Sequence, residues 1–319
     1  MAVGEGTTAE AGAPRAGRLR ELVNFWRTPS LPRRRALTAY GFMAPSLVLL
    51  AVFVVWPMTQ ALYVSFMDYS VLGVADWIGL ENYQTLIGDP AFLNALRNTI
   101  YYAIVTTPVS IALALALALL LNRKIALRGF FRSAIFLPVV TSLAIVAIAW
   151  SFLLDPDIGL ISYWLDKIGL QSGGWLRDPN LAMPAVMLVG IWKNVGFYMV
   201  MYLAGLQAIP QEFYEAAQVD GASRRQQLRY ITWPLLANTT MFVFIIAAIA
   251  TLQAFDQIFV MTRGGPFFRT ETLVMLIYRL GFQQFEMGYA AAISWVLVLL
   301  IFGLSLLQIR YFNKRMVTY

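Results

Sequence analysis

Three polar side chains inside an oily run carry the densest chemistry in this sequence. They are Gln253, Asp256 and Gln257, in TLQAFDQIF. At i, i+3 and i+4 they fall on one face of a helix. Amides donate and accept hydrogen bonds and a carboxylate accepts them, so such a face can bind polar, hydroxyl-bearing groups. A second set lies in WKNVGFY: Trp192, Lys193, Asn194 and Tyr198, where the aromatic rings offer flat apolar surfaces beside polar groups. Polar groups within apolar spans are expensive, and by default they are functional candidates. Competing roles stand beside that one. Lys193 reaches an interface if its stem lies along apolar surface. Asp256 pairs with a basic residue, or meets a neighbouring subunit. The chain has no His and no Cys. That removes the usual general base, the commonest metal ligand, thiolate chemistry and disulfides. No catalytic residue and no metal site is expected.

The elements that must position these groups are membrane helices. Of 319 residues, 59% are hydrophobic and only 13% charged, far from the balance of a soluble domain. Several apolar runs exceed the roughly 20 residues that cross a bilayer as a helix. Six spans are predicted, at 41–66, 98–121, 133–154, 181–207, 236–262 and 287–309. The predicted class is therefore all-α, a polytopic bundle. Arginine and lysine concentrate in alternate segments: Arg15 to Arg35, then Arg123, Lys124, Arg128 and Arg132, then Arg224, Arg225 and Arg229, then Arg310, Lys314 and Arg315. The intervening loops hold Asp68, Asp76, Glu81 and Asp89, and Asp155, Asp157, Asp166 and Asp178 with Lys167 and Arg177. This asymmetry puts both termini in the cytoplasm. It also accounts for the net charge of +7 without invoking nucleic acid. Residues 1–40 read as a cytoplasmic tail, partly disordered because its first part is small and polar. Within it, 18–27 has the pattern of a short helix lying on the inner leaflet. Prolines 45, 57, 108, 138 and 184 each remove a backbone donor within or beside a span and are expected to kink it.

Between the fourth and fifth spans lies EAAQVDGASRRQQLRYITWPLL, residues 215–236. Pro210 suits the first position of a helix. Phe213, Ala216 and Ala217 share one face. Gly221 suits the left-handed residue that ends a helix. Ser223 and Gln226 have the spacing of a capping box. The expected product is helix, glycine turn, helix. Small Ala216 and Ala217 admit close approach of another surface, either a cytosolic partner or the chain's own bundle.

Glu215-Ala216-Ala217, then Gly221, then Ile231 and Pro234, resemble the signature of permease subunits of ABC importers. Trp233 stands where that family usually has Leu. LAGLQAIPQEFYEAAQVDGAS, VMTRGGP (260–266) and WPMTQALYVSF (56–66) are similar to its carbohydrate-uptake branch. The resemblance runs from about residue 40 to the end. It implies one permease domain, 41–319, in the bacterial or archaeal inner membrane, with coupling helices at 210–233. It implies that Glu215, Ala216, Ala217, Asp220, Gly221 and Arg224 dock on an ATPase dimer. Arg224 and Arg225 face either that partner or anionic lipid. The chain has no G-x-x-x-x-G-K-[ST] loop, so it has no phosphate-binding loop of that type. The resemblance places ATP and Mg on the partner ATPase and no cofactor in this chain. It also implies a second homologous permease and an extracellular solute-binding protein. The implied solute is a sugar or related polyol. Lys193 and Arg263 leave open an anionic one such as glycerol 3-phosphate. The loop TRGGP (262–266) is expected outside, near the binding protein. Two readings of another class remain, a homo-oligomeric channel and an intramembrane enzyme. Neither explains the 215–234 motif, and no paired carboxylates occur in the spans.

Overall fold

The computed structural model describes residues 31–70, 73, 75–123, 125–169 and 174–313. The expected surface helix at 18–27, and Lys124, Lys314 and Arg315, lie outside the described residues. The chain divides into two units, the first ending at Gln60 and the second beginning at Ala61.

The first unit is built on α1 (Leu31–Leu50), a π-helical turn (Ala51–Val55) and the start of α2 (Trp56–Val64). The helix thus begins ten residues before the predicted span and runs through the predicted tail boundary at 40. Its apolar stretch, Arg35–Val64, is long enough to cross a membrane. A proline ring clashes with the carbonyl four residues back. For Pro57 that is the carbonyl of Phe53, and the wider π turn spans this position.

In the second unit, β1 (Met67–Asp68) and β2 (Asp76–Trp77) pair antiparallel. Then come α3 (Glu81–Gly88) and α4 (Pro90–Leu121). α4 starts eight residues before the predicted span because its cap is strong. Pro90 takes the first position, and the Asp89 carboxylate accepts from the Ala91 amide at 2.9 Å. α5 (Arg128–Val140) and α6 (Leu143–Leu153) replace the single third span, and they meet at a bend of 100°. α7 (Leu160–Lys167) precedes α8 (Ala182–Ala208), which matches the fourth predicted span. Next are α9 (Glu212–Val219), α10 (Arg224–Gln227), a π turn (Leu228–Thr232) and α11 (Trp233–Leu235). The fifth predicted span is two helices, α12 (Ala237–Leu252) and α13 (Asp256–Met261). α14 (Leu273–Tyr278), unpredicted, leads through a π turn (Arg279–Gln283) to α15 (Met287–Asn313). Among the described residues, five helical segments are long and apolar enough to span a membrane, or six with the bent α5–α6 pair.

Three core clusters lie along α4. Phe92 and Ala95 pack with Leu273, Leu276 and Ile293 near its start. Tyr102 packs with Val186, Val189 and Ile258 at its middle. Ala114, Ala118 and Leu121 pack with Met199, Tyr202 and Leu236 near its end. Large apolar residues such as Leu120, Leu299 and Phe302 are exposed instead, as expected where the solvent is lipid.

The α5–α6 bend has a local cause and a tertiary support. Pro138 removes a helix donor near the end of α5. Thr141 Oγ1 donates to the Pro138 carbonyl at 2.7 Å, and Lys193 Nζ donates to the Val139 carbonyl at 2.8 Å. The lysine thus meets the negative end of the α5 dipole. Gly196, one turn along α8, has no room for a side chain: a Cβ there would collide with the Ile135 carbonyl. A Gly196→Leu chain is expected to force α5 from α8 and lose about 1–3 kcal/mol of stability. Thermal unfolding in detergent, followed by tryptophan fluorescence, checks this; an unchanged midpoint would refute it.

Candidate functional site: a cavity at a helix break and an exposed hairpin

α12 ends at Leu252, and α13 starts at Asp256. Gln253, Asp256 and Gln257 therefore do not share one face of a continuous helix, as their spacing predicts. The break still delivers all three to one place. They line a cavity of about 290 Å³, together with Asn194 and Tyr198. Non-helical backbone at this depth survives only where its polar groups find partners or line a cavity. The Gln253 backbone N–H donates to the Ile249 carbonyl at 3.1 Å, and Thr272 Oγ1 donates to the Ala254 carbonyl at 3.0 Å.

The opposite wall comes from α4: Tyr102, Thr106 and Ser110. Sequence reasoning passed over these residues. Their spacing of four was the available signal, since it aligns them on one helical face. The Gln257 amide donates to the Tyr102 hydroxyl at 2.9 Å. That hydroxyl lies so close to Gly190 that a Cβ there would collide with it. Thr106, also buried, stands beside Tyr102 in this wall. Thr107 and Thr251 share a hydrogen bond of 2.8 Å beside the cavity, tying α4 to α12.

Two of the seven sequence candidates lie elsewhere. Lys193 is buried with its ammonium on the Val139 carbonyl. Trp192 is half-exposed and meets Trp150 edge-on, with ring centroids 5.5 Å apart. Replacing Gln253 and Gln257 together by Ala is expected to remove two hydrogen-bonding groups and weaken transport affinity by about tenfold. Uptake kinetics check it, and an unchanged KM removes this wall from the pathway.

α4 has 32 residues, so its ends lie roughly 48 Å apart. The cavity sits at its midpoint. Past its C-terminal end, Asn122 and Arg123 line a cleft with Tyr214, Arg224 and Gln227, which brings the 210–236 segment to that end. There α9 closes on a Schellman turn. The Ala222 amide donates to the Ala217 carbonyl at 2.8 Å and the Gly221 amide to Gln218 at 3.1 Å, with Gly221 at φ +76°. The capping box forms as its spacing predicts: the Ser223 amide donates to Gln226 Oε1 at 2.7 Å, and the Gln226 amide to Ser223 Oγ at 3.4 Å. α9 leans inward through Tyr214, whose hydroxyl shares a 2.9 Å hydrogen bond with Thr232. Ala217 is half-buried, while Glu215, Ala216, Asp220, Gly221 and Arg224 are exposed. Beside them Val219 is 88% exposed and Phe213 42%. Arg224 and Arg225 form no ion pair among the described residues.

At the N-terminal end of α4, Asn94 and Asn98 donate to the Phe268 carbonyl at 2.8 and 3.0 Å, and Asn98 also to Glu271 at 3.0 Å. These bonds hold the 262–271 loop, in which the Thr262 and Thr270 hydroxyls meet at 2.7 Å. Phe267 stands out, 84% exposed, with Arg263 and Arg269 also exposed. The 155–178 loop carries a small ion-pair cluster. Arg177 meets Asp155 at 3.3 Å and Asp157 at 3.0 Å. Backbone amides of Asp157 and Ile158, aided by Arg177, hold the Asp155 carboxyl below the usual carboxylate range.

The chain is 35% identical over 280 residues to the sn-glycerol-3-phosphate transport system permease protein UgpA of Agrobacterium fabrum, covering 86% of this chain and 94% of that protein. It is 36% identical over 286 residues to the lactose transport system permease protein LacF of Rhizobium radiobacter, covering 88% and 95%. Among solved structures it resembles a chain of a bacterial ABC transporter involved in import of the acidic polysaccharide alginate. The TM-score is 0.79 at 25% identity, over 93% of this chain and all of that one. Residues 107–318, which include the cavity's Ser110 wall, its broken helix and the hairpin, match the binding-protein-dependent transport system inner membrane components, and the chain belongs to that family.

Proposed function

We propose that this permease forms half the wall of an ATP-driven import pathway for a sugar or related polyol, with a second homologous permease forming the rest. In this reading the bent α5–α6 pair is one crossing. The chain then spans the membrane six times with both termini in the cytoplasm. The hairpin end of α4 is cytoplasmic, which agrees with the arginines gathered there. Residues 41–319 act as one permease domain.

One observation carries the proposal. The 212–226 hairpin is closed at its turn by a Schellman motif and a capping box, yet it leaves Phe213, Ala216 and Val219 exposed on an aqueous end. A stiff, capped, partly apolar projection suits a groove in a partner. We assign that partner as an ATPase dimer that binds ATP and Mg. Its closure moves α9 and biases the bundle between inward-open and outward-open forms. Substrate delivery from outside biases the same equilibrium, and that shared bias is the coupling. A solute-binding protein docks at the other end, beside Phe267 and the TRGGP loop. The related alginate transporter has been crystallised in complex with its periplasmic protein, which supports such a partner here.

Co-purification from the native membrane in mild detergent tests the assignment. An ATPase and a second permease are expected with this chain, identified by mass spectrometry. A chain that emerges alone, or only with copies of itself, would overturn the assignment of an ATPase dimer and a second permease as its partners.

A further inference from the structure

The relatives named above move both charged and neutral solutes, so the family alone does not fix the charge of this chain's solute. The cavity does address it. Resting on the permease reading, we propose that the pathway in this chain selects an uncharged polyhydroxy solute and disfavours phosphorylated or uronate solutes.

The argument is an inventory of charge. Among the described residues the cavity wall includes one carboxylate, Asp256, and no Lys or Arg. Asp256 has no ion-pair partner among the described residues. Asn194, Gln253 and Tyr198 add amide and phenol groups that both donate and accept. The Thr106 hydroxyl adds another. Such a wall matches hydroxyl groups, each of which also donates and accepts.

The two cations that left an anionic solute open on the sequence are both accounted for elsewhere. Lys193 neighbours Asn194, but its ammonium donates to the Val139 carbonyl at 2.8 Å, against the end of α5, and it does not line the cavity. Arg263 lies beyond α13 in the outer loop, exposed and at φ +50°. An anion entering the cavity would shed water without gaining a cation, and it would meet the Asp256 carboxylate. Both effects oppose it. A neutral polyol meets neither.

The test uses the whole importer in cells: this chain with its own ATPase, second permease and binding protein. Cells are offered a defined mixture of neutral mono-, di- and oligosaccharides and polyols, with their phosphate and uronate counterparts, sn-glycerol 3-phosphate included. Uptake is read by mass spectrometry against cells carrying the Gly221→Asp chain. Neutral solutes are expected to enter at least about tenfold faster than their anionic counterparts. Anions entering as fast or faster would overturn the inference and leave the importer reading standing. Uptake of nothing above the Gly221→Asp background would overturn the importer reading itself, and the inference with it. An Asp256→Lys chain supplies a second readout. Its ratio of anionic to neutral uptake is expected to rise about tenfold. A ratio that does not move would place selection by charge outside this cavity and overturn the proposal.

Discussion

A Gly221→Asp chain is expected to insert into the membrane in normal amounts and to transport nothing. Gly221 sits at φ +76°, where a side chain costs roughly 1–2 kcal/mol. Nothing lies within 4 Å of a Cβ built there, so the new residue meets no core and the bundle is kept. The damage is confined to the turn. The Schellman bonds from Ala222 and Gly221 back to Ala217 and Gln218 weaken. A second carboxylate also joins Asp220 on the exposed face. A docking element works only if it holds one shape, because coupling is a free energy shared between two sites. Gly221→Asn is the informative companion. Asn tolerates the left-handed region better than most side chains and adds no charge, so partial transport is expected. Solute uptake, beside the amount of chain in the membrane fraction, reads both variants. Normal uptake by the Asp variant would remove the coupling role from this turn.

The largest stability effect is expected at Arg279. Its guanidinium grips Glu271 with two bonds, Nε to Oε1 at 2.7 Å and Nη2 to Oε2 at 3.1 Å. Glu271 is 1% exposed. The Arg279 guanidinium also lies 5.1 Å from the Phe268 ring centroid. Arg279→Met leaves the carboxylate buried and unpaired, which destabilises by about 3–5 kcal/mol. The double variant Glu271→Gln, Arg279→Met removes the charge as well as its partner. It is expected to recover part of the loss, as coupled neighbours do. The midpoint of thermal unfolding, followed by tryptophan fluorescence in detergent, separates the three proteins. A single variant as stable as the parent would show that the pair does not hold the 262–283 segment. Proper folding of that segment also positions Thr272, whose hydroxyl caps the broken helix at Ala254. Loss of Arg279 is therefore expected to lower transport along with stability.

Some of this protein is decided within a few residues, and there sequence alone is enough. Hydropathy marks α8 and α15 to within a few positions, because burial in lipid depends on the segment's own side chains. The 210–226 hairpin is legible for the same reason. Gly221, Ser223 and Gln226 act through bonds to backbone no more than five residues away, whereas Pro210 lies two residues before α9, whose cap is Gln211, and does not take the first helical position that its type suits. Even the early start of α4 was written in Asp89 and Pro90.

What tertiary structure decided is where distant residues settle a choice that local chemistry leaves open. Pro138 permits either a kink or a break. Lys193 and Gly196, more than fifty positions on, make the 100° bend possible by capping Val139 and admitting α5 against α8. Gln253, Asp256 and Gln257 have the spacing of a helical face, yet the chain breaks between them, where Thr272 receives the freed carbonyl. Tyr102, Thr106 and Ser110 belong to the cavity only because α4 packs across that break. The same long-range geometry turns the Lys193 ammonium to the Val139 carbonyl and leaves Asp256 lining the cavity. The sequence by itself determined a polytopic helical membrane protein with a capped hairpin, since hydropathy and caps are local energies. Only the tertiary structure decided which polar groups share the cavity, since that depends on contacts between residues about 150 positions apart, such as Tyr102 with Gln257.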